Sequence, residues 1–222
     1  MDKFAIIIAG PSGAGKTTVA EGLIASLGNL EMSRSATTRE RRGDGRDDEY
    51  IYLNKDEFKQ AIADGDMLEY TEYSENFYGT RKCELERIWD MDKNPILVLD
   101  YNGVRSLKER LNMPVYAIYV YTSLEEAKRR LEKRDMQSEP SEKKAATLKK
   151  RLRENVSDYK KLHTMHELFD LYLENNDLNA CLKQARESLS LMSKGIFVMD
   201  ESAKIKITAS FAEEAREFEK TV

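Results

Sequence analysis

The apolar run Phe4 to Ala9 leads directly into Gly10-Pro11-Ser12-Gly13-Ala14-Gly15-Lys16-Thr17, and the stretch Thr17 to Leu27 behind it suits a helix. No other feature narrows the accessible folds as much. A buried strand ends where a glycine-rich loop begins, and the loop opens onto a helix N-terminus. Glycines let the backbone curl so that successive N–H groups face one anion, and the helix end adds its positive dipole. Lys16 supplies a mobile cation for β- and γ-phosphates, and Thr17 offers a hydroxyl to Mg²⁺. This order of strand, loop, lysine, threonine and helix favours a bound nucleoside triphosphate over a plain glycine turn.

The 222 residues suffice for one large α/β domain or a core with a smaller insert. A net charge of -4 points to neither nucleic acid nor a membrane surface as partner. Cys83 and Cys181 lie far apart without a C-x-x-C companion, which reads as idle thiols in a reducing compartment. No apolar stretch approaches the roughly 20 residues that span a bilayer. A soluble, cytoplasmic protein, monomeric or homodimeric, is expected.

Apolar runs recur at Phe4–Ala9, Ile96–Leu99, Val115–Tyr121 and Leu168–Leu173, with helical patterns at Leu107–Leu111, Leu124–Leu131 and Leu178–Leu191. This alternation predicts an α/β fold, a mainly parallel sheet with helices on both faces. Residues 33–87 read as a small α+β insert, with strands over Glu49–Leu53 and Met67–Tyr73 and a helix over Lys55–Ala63. Residues 1–32 and 88–194 then form the core. A break at Met136–Ser141 within a basic helical region marks a lid over about 134–151. Residues 195–222 read as an extension in which Ile196–Met199 and Lys204–Thr208 pair as a hairpin ahead of a helix over Phe211–Lys220. Trp89 is expected to pack the insert's helix. His163 and His166 stand three apart without a third His or Cys nearby, so no metal site is expected there.

A second cluster, Ser33 to Gly43, is dense in arginine, whereas Asp44, Asp47, Asp48 and Glu49 follow at once and would repel a polyanion. A second small anion site built from guanidinium forks fits better than a nucleic-acid patch. With this cluster the sequence resembles the guanylate kinase family. The resemblance rests on Gly10 to Thr18, on Ser33 to Arg42 as S-x-S-x-T-T-R-x-x-R, and on Tyr50, Leu68-Glu69 and Tyr78-Gly79-Thr80. It continues through Asp100-x-x-Gly103, Arg130-Leu131-x-x-Arg134, Arg151-Leu152 and Asn175-Asn176-Asp177-Leu178. These occur in family order over about residues 3 to 190.

The resemblance implies a P-loop core, a GMP-binding insert and a mobile, arginine-bearing lid. It implies transfer of the γ-phosphoryl group of ATP to GMP, with Mg²⁺ and with dGMP as a second candidate acceptor. ATP would be held by Ser12, Gly13, Ala14, Gly15, Lys16, Thr17, Thr18, Arg130 and Asn175. The GMP phosphate would be held by Arg39, Arg42, Tyr50 and Tyr78, and its base by Ser35, Glu69, Thr80 and Asp100. Lys16, Arg42, Arg134 and Arg151 would neutralise the transferring group in line, without a covalent intermediate. Residue chemistry agrees: guanine offers adjacent N1–H and N2–H donors to a carboxylate such as Glu69, and O6 accepts from a hydroxyl such as that of Ser35. Adenine lacks the N1 donor and would leave Glu69 short of a partner.

Several positions depart from the family pattern. Val98 stands where an acid is usual, two residues before Asp100, so Asp100 is open to serving the base, a Mg²⁺-bound water, or both. Arg41 replaces a proline, the lid is long, and the tail is an addition. Two other functions stay open: a related P-loop kinase for another phosphorylated acceptor such as a sugar phosphate, and a non-catalytic guanylate-kinase-like interaction module.

Overall fold

The structure is a computed structural model, and it describes residues 3–41, 47–73, 75–135 and 142–221. Its elements, in chain order, open with β1 (Ala5–Ala9), α1 (Lys16–Leu27), β2 (Leu30–Met32), β3 (Ser35–Thr37) and β4 (Tyr50–Tyr52). Then come α2 (Lys55–Ala63), β5 (Met67–Tyr73), β6 (Asn76–Arg81), α3 (Lys82–Asp90), β7 (Asn94–Val98) and α4 (Tyr101–Arg110). The remainder is β8 (Val115–Tyr121), α5 (Leu124–Asp135), α6 (Glu142–Leu162), a 3₁₀ turn (His163–Leu168), β9 (Leu171–Glu174), α7 (Leu178–Met192) and α8 (Glu201–Glu219). The α/β class expected from the sequence is what the chain adopts. A five-stranded sheet has the order β2-β7-β1-β8-β9, and a separate four-stranded sheet has the order β4-β3-β6-β5. All five residues of β1 are buried, as suits an Ile-rich strand covered on both faces.

The chain divides into two compact units, Met1–Ile7 with Leu23–Val115 and Ile8–Gly22 with Tyr116–Val222. In the first unit β2 runs parallel to β7, with Leu30 opposite Asn94. The four-stranded sheet is mixed, β3 pairing parallel with β4 and antiparallel with β6, and β6 antiparallel with β5. One face of this sheet packs on α2 through Ala36, Phe58, Ala61 and Met67, with Ile51 and Phe77 alongside. Helix α2 starts at a capping box: Asn54 Oδ1 accepts from the Glu57 backbone N–H at 2.8 Å, and Glu57 Oε2 accepts from that of Asn54 at 2.7 Å. Trp89 lies on α3 and donates from Nε1 to the Phe4 carbonyl at 3.2 Å, which ties α3 to the residue just ahead of β1. Glu84, with a side chain only 2% exposed, is clamped by Arg34 at 3.1 Å and Arg87 at 2.8 Å.

In the second unit β8 runs parallel to β9, Ile118 opposite Leu171. The expected hairpin over Ile196–Thr208 does not form. Ile196 and Val198 stay 69% and 85% exposed, and residues 201–219 make one continuous helix, α8. Two local facts decide this. Asp200 caps the helix by accepting from the Ala203 N–H at 3.0 Å, and Lys204, Thr208, Phe211, Ala215 and Phe218 recur at helical spacing on one buried face. Burial of that stripe overrides the β-branched residues that suggested a strand. At the start of α8, Glu201 Oε1 lies 2.6 Å from His166 Nε2 in the 3₁₀ turn.

Candidate functional site

The phosphate loop begins where β1 ends. Gly13 and Gly15 have φ of 89° and 85°, a left-handed backbone that costs glycine little. Space reinforces the demand, because a Cβ on Gly15 would come within 2.5 Å of Asn175 Nδ2. Lys16 opens α1 and folds back onto the loop, donating from Nζ to the carbonyls of Gly10 at 2.8 Å and Pro11 at 3.0 Å. Burial of the amine lowers its pKa to about 8, while the Asp158 carboxylate pulls it up and the Arg134 guanidinium pushes it down. Lys16 and Arg134, both expected at the reacting phosphate, therefore share one electrostatic neighbourhood.

Two asparagines fix the loop from outside. Asn175 donates from Nδ2 to the Ala14 carbonyl at 2.7 Å, and its own carbonyl accepts from Arg130 Nη2 at 2.7 Å. Arg130 is oriented by Glu126, which accepts from its Nε at 2.7 Å. The expected ATP residues Arg130 and Asn175 thus meet at the loop. Asn155 of α6 was not anticipated: its Oδ1 accepts from the Ser12 N–H at 2.8 Å and its Nδ2 donates to the Ser12 carbonyl at 2.9 Å. Arg151, half-buried, sits four residues before Asn155 on the same helix and so shares its side. Thr17 and Thr18 expose their side chains in the first turn of α1, next to Lys16.

The first unit carries the other set. Strand register pairs Ser35 with Tyr50, Thr37 with Tyr52 and with Tyr78, and Glu69 with Thr80. Paired residues point the same way and alternate along a strand, so Ser35, Tyr50, Tyr78, Thr80 and Glu69 share the face turned away from α2. A register irregularity between Met67 and Glu69 lets Met67 join the α2 core while Glu69 takes the other side. Thr80 Oγ1 donates to Glu69 Oε1 at 2.7 Å. Burial raises the Glu69 pKa, the Thr80 hydroxyl opposes this, and the charge of Asp100 adds to it. Asp100 itself caps α4, its Oδ1 accepting from the Gly103 N–H at 2.9 Å.

Arg39 leaves β3 with its guanidinium 5.2 Å from the Tyr50 ring centroid and donates to Tyr52 Oη at 3.2 Å. Tyr52, whose hydroxyl donates to Asp47 at 2.7 Å, had no signal beyond strand alternation. Arg42 lies outside the described residues. A groove of about 750 Å³ lined by Leu53, Asp56, Gln60, Asp64, Asp66 and Arg81 includes none of the expected residues, and its acids disfavour a phosphate.

A glycine loop between a buried strand and a helix, with a lysine folded into it beside a parallel sheet, defines a P-loop nucleotide-binding protein. Residues 3–191 match the family model for guanylate kinase. The chain is 37% identical over 189 residues to the guanylate kinase of Porphyromonas gingivalis, covering 83% of this chain and 95% of that one. It is 32% identical over 189 residues to the guanylate kinase of Sus scrofa, covering 83% and 91%. The crystal structure of guanylate kinase from Anaplasma phagocytophilum superposes with a TM-score of 0.56 at 26% identity, covering 90% of this chain and 88% of that one. The chain belongs to the guanylate kinase family. Among the described residues no helix is long and apolar enough to cross a membrane.

Proposed function

We propose that this protein transfers the γ-phosphoryl group of ATP to GMP, giving ADP and GDP. The observation that carries the acceptor is the half-buried Glu69 carboxylate, held by Thr80 on the sheet face that also carries Ser35, Tyr50 and Tyr78. Glu69 accepts guanine N1–H and N2–H, Ser35 donates to O6, and Asp100 adds negative charge beside the amino group. An adenine in the same place leaves a carboxylate without its donor, which costs about 1–3 kcal/mol for each unpaired group. Arg39, stacked on Tyr50, binds the GMP phosphate together with Tyr50, Tyr78 and Arg42.

On the ATP side, the amides from Ser12 to Thr18 cradle the phosphates, and Lys16 exchanges its loop carbonyls for phosphate oxygens. An oxygen of the GMP phosphate attacks the γ-phosphorus as the bond to the β-phosphate oxygen breaks, and Lys16, Arg134 and Arg151 neutralise the charge that develops. The exposed Thr17 hydroxyl beside Lys16 is a hard oxygen donor that suits Mg²⁺, an ion that takes few protein ligands and several phosphates and waters. When bound, Mg²⁺ supplies charge neutralisation on the triphosphate. Both cysteines are unpaired thiols, which supports a reducing, cytoplasmic setting.

A coupled assay with ATP and a panel of nucleoside and sugar monophosphates tests the proposal. GMP is expected to be the preferred acceptor, with dGMP behind it and AMP slower by at least about a hundredfold. Turnover of a sugar phosphate with none of GMP would overturn the acceptor. Absence of Mg·ATP binding by calorimetry would overturn the kinase assignment altogether.

A further inference from the structure

The family match stops at residue 191, and α8 lies beyond it. Helix α8 grips the two helices that hold the phosphate loop, one through Phe211 of its buried stripe and one through the adjacent Glu214. The first grip is apolar. Phe211 stacks on Tyr159 of α6 with ring centroids 4.5 Å apart and planes at 22°, and meets Tyr121 of β8 edge-on at 4.8 Å. Tyr159 is fully buried and donates to the Thr122 carbonyl at 2.5 Å, so it has little freedom to shift independently. One turn earlier on α6 stands Asn155, which pins Ser12 through both its N–H and its carbonyl.

The second grip is polar. Glu214 Oε1 accepts from the backbone N–H of Leu124, the first residue of α5, at 2.6 Å. A side chain of α8 thereby satisfies a donor that a helix start cannot satisfy for itself, and places negative charge at the positive end of α5. The nearby hydroxyl of Ser123 is engaged elsewhere, accepting from the Glu126 N–H at 3.2 Å. Helix α5 in turn shapes the loop. The Ala127 carbonyl stands 2.6 Å from where a Cβ on Gly13 would lie, and Arg130 holds Asn175, which holds Ala14.

We infer that α8 is a positioning element for the triphosphate site, and that Glu214 is its positioning residue, setting the start of α5 and through Ala127 and Arg130 the curvature of the loop from Gly13 to Gly15. Neither Glu214 nor Phe211 touches the nucleotide; each acts through the helix it holds. The inference rests on the proposed ATP site and is independent of which acceptor the enzyme uses. Its consequence is selective: losing the Glu214 contact loosens ATP and leaves GMP alone.

Calorimetry of Mg·ATP binding, steady-state KM values for both nucleotides, and thermal melting would be measured on the full chain and on Glu214→Ala, Glu214→Gln and Phe211→Leu. Glutamine keeps an acceptor oxygen at the same reach, whereas alanine removes it. Glu214→Ala is expected to weaken ATP roughly five- to tenfold, the ratio set by one lost helix-capping bond, with the GMP KM changed less than about twofold. Glu214→Gln should recover most of the loss. Unchanged ATP affinity with a lowered melting temperature would reduce α8 to a stabilising cover and overturn the inference. So would equal losses for both nucleotides, or a glutamine variant as weak as alanine. If Glu214→Ala fails to fold, Phe211→Leu decides: an ATP-selective loss supports the inference and unchanged ATP binding refutes it. A wild-type protein that binds Mg·ATP yet phosphorylates no GMP would sink the acceptor assignment alone, and one that binds no Mg·ATP would sink both.

Discussion

ATP binding should weaken as pH rises through 8 to 9, before GMP binding changes. In the free protein the Lys16 amine is folded against the carbonyls of Gly10 and Pro11, and burial lowers its pKa to about 8. A bound triphosphate surrounds the same amine with anionic oxygens and raises its pKa again. Below pH 8 the lysine is charged with and without nucleotide, no proton is exchanged, and affinity is flat. Above pH 8 the free protein has released a proton that the complex retains, so binding must take one up. Between pH 7 and 9 the charged fraction of free Lys16 falls from about nine-tenths to about one-tenth, so the Kd for ATP rises about tenfold, or about 1.4 kcal/mol.

The stability of the nucleotide-free fold moves in the opposite sense. Folding disfavours the charged lysine, so that penalty is fully present below pH 8 and is relieved as pH rises from 8 toward 10.5, the ordinary lysine value. Titration calorimetry at pH 7, 8 and 9, in buffers of differing ionisation enthalpy, reads affinity and proton uptake together. Lys16→Arg keeps its charge throughout and should give a flat profile. A flat wild-type profile, or no proton uptake at pH 9, would refute this account of the loop.

Glu69→Gln should raise the KM for GMP about tenfold or more while moving that for ATP less than about twofold, because an amide NH₂ then faces a guanine donor; comparable losses for both nucleotides would count against the pocket. Burial pushes the Glu84 carboxyl up, but Arg87 and Arg34 outweigh it and hold it at about 2. A depressed carboxylate contributes stability above its unfolded value near 4.5 and loses it as pH falls toward 2. Glu84→Gln should therefore lower the melting temperature at pH 7, and the gap from wild type should close between pH 4.5 and 2. A gap that stays constant with pH would show that the Arg34–Glu84–Arg87 cluster acts by packing alone.

Several features are legible in the sequence alone. The strand Val115–Tyr121 and the helix Lys55–Ala63 fall at the expected bounds, since each combines a clean apolar pattern with flanking turn or capping residues. Strands β3 and β6 were not readable. Ser35–Thr37 and Asn76–Arg81 carry no apolar run, and only pairing to neighbours already in place makes them strands. The extension misled for the complementary reason. Ile205, Ile207 and Thr208 are good strand formers, yet the stripe ending at Phe218 pairs with α6 only if the segment is helical.

The sequence by itself determined the phosphate loop and the α/β class, because each depends on local backbone freedom or on an apolar pattern carried by neighbouring residues. Tertiary structure alone decided that Asn155 pins Ser12, that Arg34 reaches Glu84, and that Glu214 caps α5. Those contacts join residues 143, 50 and 90 positions apart, closed by packing and not by any local pattern. No short-range periodicity encodes a hydrogen bond whose two partners are brought together only when the core forms.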